Sequence, residues 1–484
     1  MTTSPLSSIA IFGTHQSVWP VAALLAQNLP ERIALTVVED VIGGATPPAA
    51  LTMKVASRFH DQLGIDAQQL VDQCGGRFGL GHDLVDWQGQ DSRHFVAASG
   101  TLPRINGVAL HHIMLRAAMM NNEPDKLAYL FQPFRLAART AMEGKFSLAS
   151  TDSNSPLSML GPTVQIDADG YGACLSNCVS GDAVSRYEGH PADVMRATDD
   201  GTIGSVTLDS GQEVSADLFI DTDGRLSSLA MESPDSQIEM PAGLMPFDRL
   251  ASARVPPGDL RDARTRALAG GLSMETALAD EVDIALLYAS NAMDDAAVQR
   301  IVGSKMIPQS ISFEALETPW TGNLMRMGTA SASLGSLFSA DIMLMQEQAM
   351  QLVRCIPATG EMAVEATEFN RKHASVFAQI RDFVLLPFTL NQRSEPLWTA
   401  MRDCPPPETM RLRLDQFRSR GRFVTFDNEI IDEQTWIEAM IGFGIVPERY
   451  DPLTDMFDMR QIVPVLRNLV DGFNRAIAAM PDAS

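Results

Sequence analysis

The sequence predicts an α/β (α+β) fold, a Rossmann-type box followed by a mostly helical C-terminal section. Three observations carry this. The first forty residues alternate an apolar run, an apolar helical segment and a second apolar run, the pattern of a βαβ unit with buried parallel strands. A second α/β region ends in "ADLFIDTDG", which puts Asp221 at the carboxyl end of a buried strand, where open α/β sheets bind ligands. From about residue 341 the pattern turns helical and stays so, apart from a break at "DCPPPET" (403–409).

In chain order, "SSIAIFG" reads as the first strand and ends at Gly13. "WPVAALLAQNL" reads as the following helix, and "RIALTVVED" as a second strand ending in Glu39 and Asp40. "VIGGATPPAALTMKVASRFHDQLGI" predicts another helix. Thr46 is its N-cap, Pro47 takes the first helical position, and Leu51, Val55, Phe59 and Leu63 fall on one face. The turn formers of "STDSNSPLSMLGPT" (150–163) mark a boundary or a surface excursion. "DADGYGACLSNCV" predicts a helix. "GTIGSVTLDSGQEVSADLFIDTDG" predicts a hairpin, with Gly211 in its turn, leading into the Asp221 strand.

The bulk properties narrow the function classes. A chain of 484 residues with 45% apolar and 20% charged residues is a globular protein able to bury a large core. No apolar run is long enough to span a membrane, and "MTTSPLSSIAIFG" lacks a basic n-region, so the expected location is the cytoplasm. A net charge of -23 disfavours nucleic acid and anionic membrane as partners. The five scattered cysteines argue against a disulfide framework. Cys174 and Cys178 lack a second ligand pair, so no metal is expected. His111 and His112 are adjacent in a helical segment and point apart, so one is expected buried and the other exposed.

The succession of pieces resembles the flavin-dependent tryptophan halogenase family. The matching segments are "IAIFGTHQSVW", "LTVVED", "GGATPP", "QLGID", "DLFIDTDG", "PWTGNLMRMGTASASLGSLFSADIMLMQ", "FNRKHASVFAQIRDFVLLPF", "EPLW" and "IGFGIVPERYDPL". No one of them is specific; their order over nearly the whole chain is. The resemblance implies a flavin-monooxygenase-like box with interleaved substrate segments over 1–345 and a helical pyramid over 346–484. It implies FAD at Gly13, His15, Glu39, Gly43, Gly44, Asp221, Gly224 and Gly328. In the family, reduced FAD reacts with oxygen, halide attacks the resulting flavin hydroperoxide, and hypohalous acid reaches a lysine beside an aromatic substrate.

The positions that carry this chemistry depart from the family pattern. The second and third glycines of G-x-G-x-x-G fall on His15 and Val18, whose Cβ atoms hold the backbone off a pyrophosphate and the helix off the strand. His15 is nevertheless able to donate to a phosphate. The lysine falls on Gly79 of "FGLGHDLVDW", and no lysine occurs in 55–125. Arg77 is no substitute, because a guanidinium stays protonated. The glutamate that faces substrate falls on Phe338. The halide-holding threonine and serine fall on Ala340 and Asp341, where a carboxylate would oppose an anion. The tryptophan wall falls on "LSMETA", Leu272 to Ala277.

The expectation is therefore a degenerate halogenase-like protein, unable to halogenate and weak or deficient in FAD binding. Such a pseudoenzyme would bind an apolar or aromatic small molecule in a pocket near 272–278 and 334–341, where Met274 and Phe338 stand, or would form a homodimer or pair with an active halogenase relative. The alternative is a divergent FAD-dependent halogenase or monooxygenase acting on an aromatic, indole-like substrate.

Overall fold

The computed structural model describes residues 4–40, 50–179, 184–197, 201–230, 236–238, 240–241, 243–303, 308–426 and 429–483. The chain opens as β1 (Ser8–Thr14), α1 (His15–Asn28) and β2 (Ala34–Asp40). β1 lies between β2 and the strand Leu218–Asp221 and runs parallel to both. Val184–Glu188 extends this sheet beyond β2; Leu324–Arg326 and Trp320–Thr321 extend it on the other side. Ile9, Ala10, Ile11 and Phe12 are all buried, which is why β1 reads as an unbroken apolar run rather than an alternating one. The predicted hairpin is present, with Ile203–Leu208 pairing Glu213–Ser215 and Gly211 in the left-handed region at φ +83°.

The predicted helix after Thr46 is replaced by a strand and a short helix. Thr46, Gly43 and Gly44 lie outside the described residues. β3 (Ala50–Lys54) pairs antiparallel with Thr163–Asp167, whose other edge pairs with β4 (Arg77–Gly79). Only α2 (Arg58–Leu63) is helical, with Ser57 as its cap. Leu51, Val55, Phe59 and Leu63 all reach the core beneath α1, but Leu51 from β3, Val55 from the link after it, and Phe59 and Leu63 from α2. The helical spacing was real; an available strand edge outcompeted it for Ala50–Lys54.

Next come α3 (Ala67–Gln73), β5 (Gly81–Val85), β6 (Arg93–Ala97) and α4 (Leu110–Met120). β5 and β6 complete a seven-stranded sheet with Ala263–Leu268, Gly271–Ala277, Val282–Tyr288, Arg249–Val255 and Gln309–Ser310. Among the described residues six α-helices follow: Ala340–Arg354, Ala363–Leu390, Pro396–Asp403, Glu408–Arg420, Glu433–Gly442 and Met459–Ala479. The break at 403–409 separates the third from the fourth. The first runs through position 345 and buries Ile342 and Met345 in the core shared with α1.

Both members of the His111–His112 pair are buried, at 1% and 5% exposure, which corrects the expectation of one exposed ring. α4 packs under the later chain, so both faces are covered. His111 Nε2 donates to the Gly421 carbonyl (2.8 Å), and His112 Nδ1 accepts from the Asp451 amide (3.2 Å). Among the described residues no helix is long and apolar enough to cross a membrane, and no group of His, Cys, Asp and Glu is arranged to hold a metal. All five cysteines are free thiols.

Candidate functional site

The sheet register sets Gly13 opposite Glu39 and brings the start of α1 to the end of β2. Gly13 is required by close approach: a Cβ there would lie 1.9 Å from Thr222 Oγ1 and 2.6 Å from Ser17 Oγ. α1 begins at His15 with no side-chain cap and no acidic residue in its first turn, an arrangement that tolerates an anion. His15, however, is turned onto Glu39, with Nδ1 and Oε1 2.8 Å apart. Trp19 Nε1 donates to the other oxygen at 3.0 Å, and Arg186 stacks over the Trp19 ring at 4.5 Å. The hydrogen bond to Glu39 raises the His15 pKa, and the same bond lowers that of Glu39. The carboxylate that would take a ribose already accepts from two neighbours, one at each oxygen. Val18 is fully buried in the core and packs α1 against its surroundings.

Thr222 joins this end of the sheet to the rest of the expected cradle. Asp221 is fully buried and holds the turn that follows it: Oδ1 accepts from the Gly224 amide (2.9 Å) and Oδ2 from the Ser227 amide (2.7 Å). Gly224 takes φ +90°. Gly328, at φ +54°, stands against the Thr222 carbonyl, and its amide donates to Gln348 Oε1 (2.8 Å). A Cβ on Gly328 would meet Met345 Cε at 2.1 Å. Gly13, Asp221, Gly224 and Gly328 are thus gathered around one turn, while Gly43 and Gly44 lie outside the described residues.

Position 79 is closed by its neighbours. A Cβ on Gly79 would stand 2.9 Å from Gln165 Nε2 and 3.0 Å from both Asp262 Oδ1 and Thr163 Oγ1. Neither flexible partner is free to swing away. Gln165 donates to the Arg261 carbonyl (2.6 Å) and accepts from the Ala277 amide (3.3 Å). Asp262 accepts from the Leu80 amide (2.6 Å), and burial raises its pKa.

One residue that the sequence reading passed over belongs here. Lys54 pairs with Thr163, and Thr163 pairs with Gly79, so all three stand in one row across the sheet. Directly opposed residues share a face. The Lys54 ammonium reaches Asp432 Oδ2 (3.1 Å) and the Ile430 carbonyl (3.4 Å). The signal that finds it is a strand at 50–54, which the helical spacing concealed.

The Phe338 segment is strained. Ser336, Phe338 and Ser339 take φ of +57°, +53° and +56°, a conformation that costs side-chain-bearing residues energy. Asp341 holds it in place, accepting from the Leu334 amide (2.8 Å) and the Ser336 amide (3.0 Å), while Ser339 Oγ accepts from Thr52 N (2.8 Å). Asp341 therefore faces the backbone amides of the segment it holds. Asp341→Asn replaces an acceptor by an amide NH2 opposite a backbone N–H. The expected loss is about 1–2 kcal/mol, read as a lower urea midpoint at unchanged slope. An unaltered midpoint would show that the carboxylate does not hold the segment.

Phe338 itself packs edge-on against His82 (4.9 Å) and Phe383 (6.5 Å). His82 bonds Thr265 Oγ1 (2.6 Å), and burial pushes its pKa down to about 4. Met274 packs against the same core from the strand Gly271–Ala277. Two clefts lie elsewhere. One, of about 440 Å³, runs along Pro405–Pro407 and Arg381; the other, of about 230 Å³, surrounds His111 and His112.

The comparisons agree with this architecture. A family profile described as tryptophan halogenase matches residues 8–459. Tryptophan 7-halogenase RebH of Lentzea aerocolonigenes is 23% identical, over 92% of this chain and 91% of its own. Tryptophan 6-halogenase ThaL of Streptomyces albogriseolus is also 23% identical, over 86% of this chain and 82% of its own. Among solved structures, BrvH, a flavin-dependent halogenase from Brevundimonas sp. BAL3, superposes with a TM-score of 0.89 at 23% identity, covering 99% of this chain and 98% of its own. The tryptophan 6-halogenase SttH of Streptomyces toxytricini gives 0.83 at 17% identity, covering 99% and 98%. With the fold of the flavin-dependent halogenases and a profile match over nearly its full length, the chain belongs to the tryptophan halogenase family.

Proposed function

We propose that this family member does not halogenate tryptophan or free indoles, holds FAD weakly, and has become a pseudoenzyme that uses the scaffold to bind an apolar or aromatic small molecule or a protein partner. The observation that carries this reading is Gly79, where a Cβ would stand about 3 Å from three polar groups, two of them, Gln165 and Asp262, tied by hydrogen bonds. The His15–Glu39 contact supports the weak FAD site. The net charge of -23 disfavours nucleic acid and anionic membrane as partners. The test is turnover with a flavin reductase, NADH, oxygen, bromide and tryptophan or indole. Mass spectrometry should find no brominated product above a no-protein control; a clear excess overturns the proposal.

A second reading is favoured by Lys54: a divergent flavin-dependent halogenase or monooxygenase acting on an aromatic substrate. Lys54 puts an amine on the row of Gly79, at the junction with the Ile430–Asp432 segment. If the wild-type protein turns over an aromatic substrate, Lys54→Met should lower that rate at least about tenfold while the fold is retained. An unchanged rate would remove Lys54 from any reaction.

A further inference from the structure

Phe338 carries the bulky side chain among the left-handed residues Ser336, Phe338 and Ser339. Large side chains rarely take this conformation, and it persists only where the surroundings fix it. The fixing bonds lie on either side of Phe338. Asp341 accepts from the Leu334 and Ser336 amides, and Ser339 Oγ accepts from the Thr52 amide. The Phe338 ring is a hydrocarbon, held by packing alone.

That packing is aromatic on both sides. His82 meets the ring edge-on at 4.9 Å and Phe383 at 6.5 Å. Phe383 in turn stands edge-on to Trp436 at 5.1 Å. Met274 pairs with Thr265 across the sheet, and Thr265 Oγ1 bonds the His82 ring, so the thioether and the imidazole share a face. Burial pushes His82 down to about 4, so its ring is neutral at neutral pH. Aromatic rings pair well edge to face at about 4.5–7 Å between centroids, and methionine adapts to rings of different outline. The slot between His82 and Phe383 therefore has the walls of an aromatic-ring site, and a ring of this chain fills it. Phe338, Phe383 and Met274 are only half-buried and Ser336 is exposed, so the slot borders the surface and its occupant has room to leave.

We propose that the slot between His82 and Phe383 binds the ring of an uncharged aromatic molecule, and that Phe338 is a plug which this ligand displaces. Its walls are hydrocarbon, thioether and neutral imidazole, and a charge buried among them would go unpaired. When Phe338 leaves its left-handed conformation, the strain released offsets part of the packing lost. The inference rests on the reading of the scaffold as a binder of small aromatic molecules; it adds the place and the residue that guards it.

The test titrates indole into the wild-type chain and into Phe338→Gly, followed by calorimetry and by NMR of the His82 and Phe338 rings. Glycine accepts the left-handed backbone, so the variant keeps the segment and loses only the plug. A closed plug lowers apparent affinity by the fraction of molecules that are open. Phe338→Gly should therefore bind indole at least about tenfold more tightly than the wild type. In the wild type, saturating indole should shift both ring resonances. Equal affinity of the two chains, or binding that leaves both rings unmoved, overturns the plug while leaving the scaffold an aromatic binder. No binding to either chain overturns the slot itself. Bromination in the turnover assay would overturn the pseudoenzyme reading and not the plug. If Phe338→Gly fails to fold, the wild-type ring resonances decide alone.

Discussion

Lysine placed at position 79 is expected to destabilise the protein by at least about 3 kcal/mol and to produce no halogenation. Gly79→Ala already forces a Cβ to within about 3 Å of Gln165, Asp262 and Thr163, the first two tied by hydrogen bonds. Overpacking of this kind costs about 1–3 kcal/mol. The rest of a lysine side chain must then pass through the same filled space, and its ammonium loses water on the way. The check is a urea midpoint for the wild type, Gly79→Ala and Gly79→Lys, falling in that order at similar slope. Should Gly79→Lys be as stable as the wild type, the space was never filled. If it also brominates tryptophan, the missing lysine was the only defect.

His15→Gly is expected to tighten FAD binding about tenfold, or 1.4 kcal/mol. The substitution removes the imidazole from the start of α1 and leaves Glu39, among the described residues, with Trp19 as its one remaining side-chain donor. The half-exposed ion pair that is lost is worth no more than about 1 kcal/mol of stability, so the variant should fold. Val18→Gly is a poor companion change, because Val18 fills the core under α1 and its removal leaves a cavity.

The effect should depend on pH. The His15 pKa is raised above its ordinary 6.5, so its share of the pair is complete below that value and is lost as pH rises through the folded-state pKa. The Glu39 pKa is lowered below its ordinary 4.5, so its share is complete above that value and is lost as pH falls through the folded-state pKa. The pair competes hardest with a ribose between about pH 4.5 and 6.5. Wild-type affinity for FAD should therefore rise as pH climbs past this window, and the rise should flatten in His15→Gly. Fluorescence titration at several pH values reads both. A variant no tighter than the wild type at any pH would show that His15 does not obstruct the site.

The sequence by itself determined the β1–α1–β2 opening, the hairpin around Gly211, the strand ending at Asp221 and the run of helices from 340 onward. These were legible because each element carries its own apolar period, and a strand buried on both faces has to be apolar throughout. It also pointed to Gly13, which proves close-packed, and to Gly79 and Phe338 as departures from the pattern the chain resembles. Only the tertiary structure decided what stands beside them. β3 is a strand because Thr163–Asp167 offered an edge, and that pairing alone puts Lys54 in line with Gly79. Asp341 is a loop anchor because the backbone amides of Leu334 and Ser336 turn towards it, and both histidines of α4 are buried because Gly421 and Asp451 fold over them. His15 closes on Glu39 because parallel pairing brings the end of β2 beside the start of α1. A periodicity records which face of an element is apolar. It carries no record of which distant backbone groups will meet that element's polar atoms, and here those meetings set the chemistry.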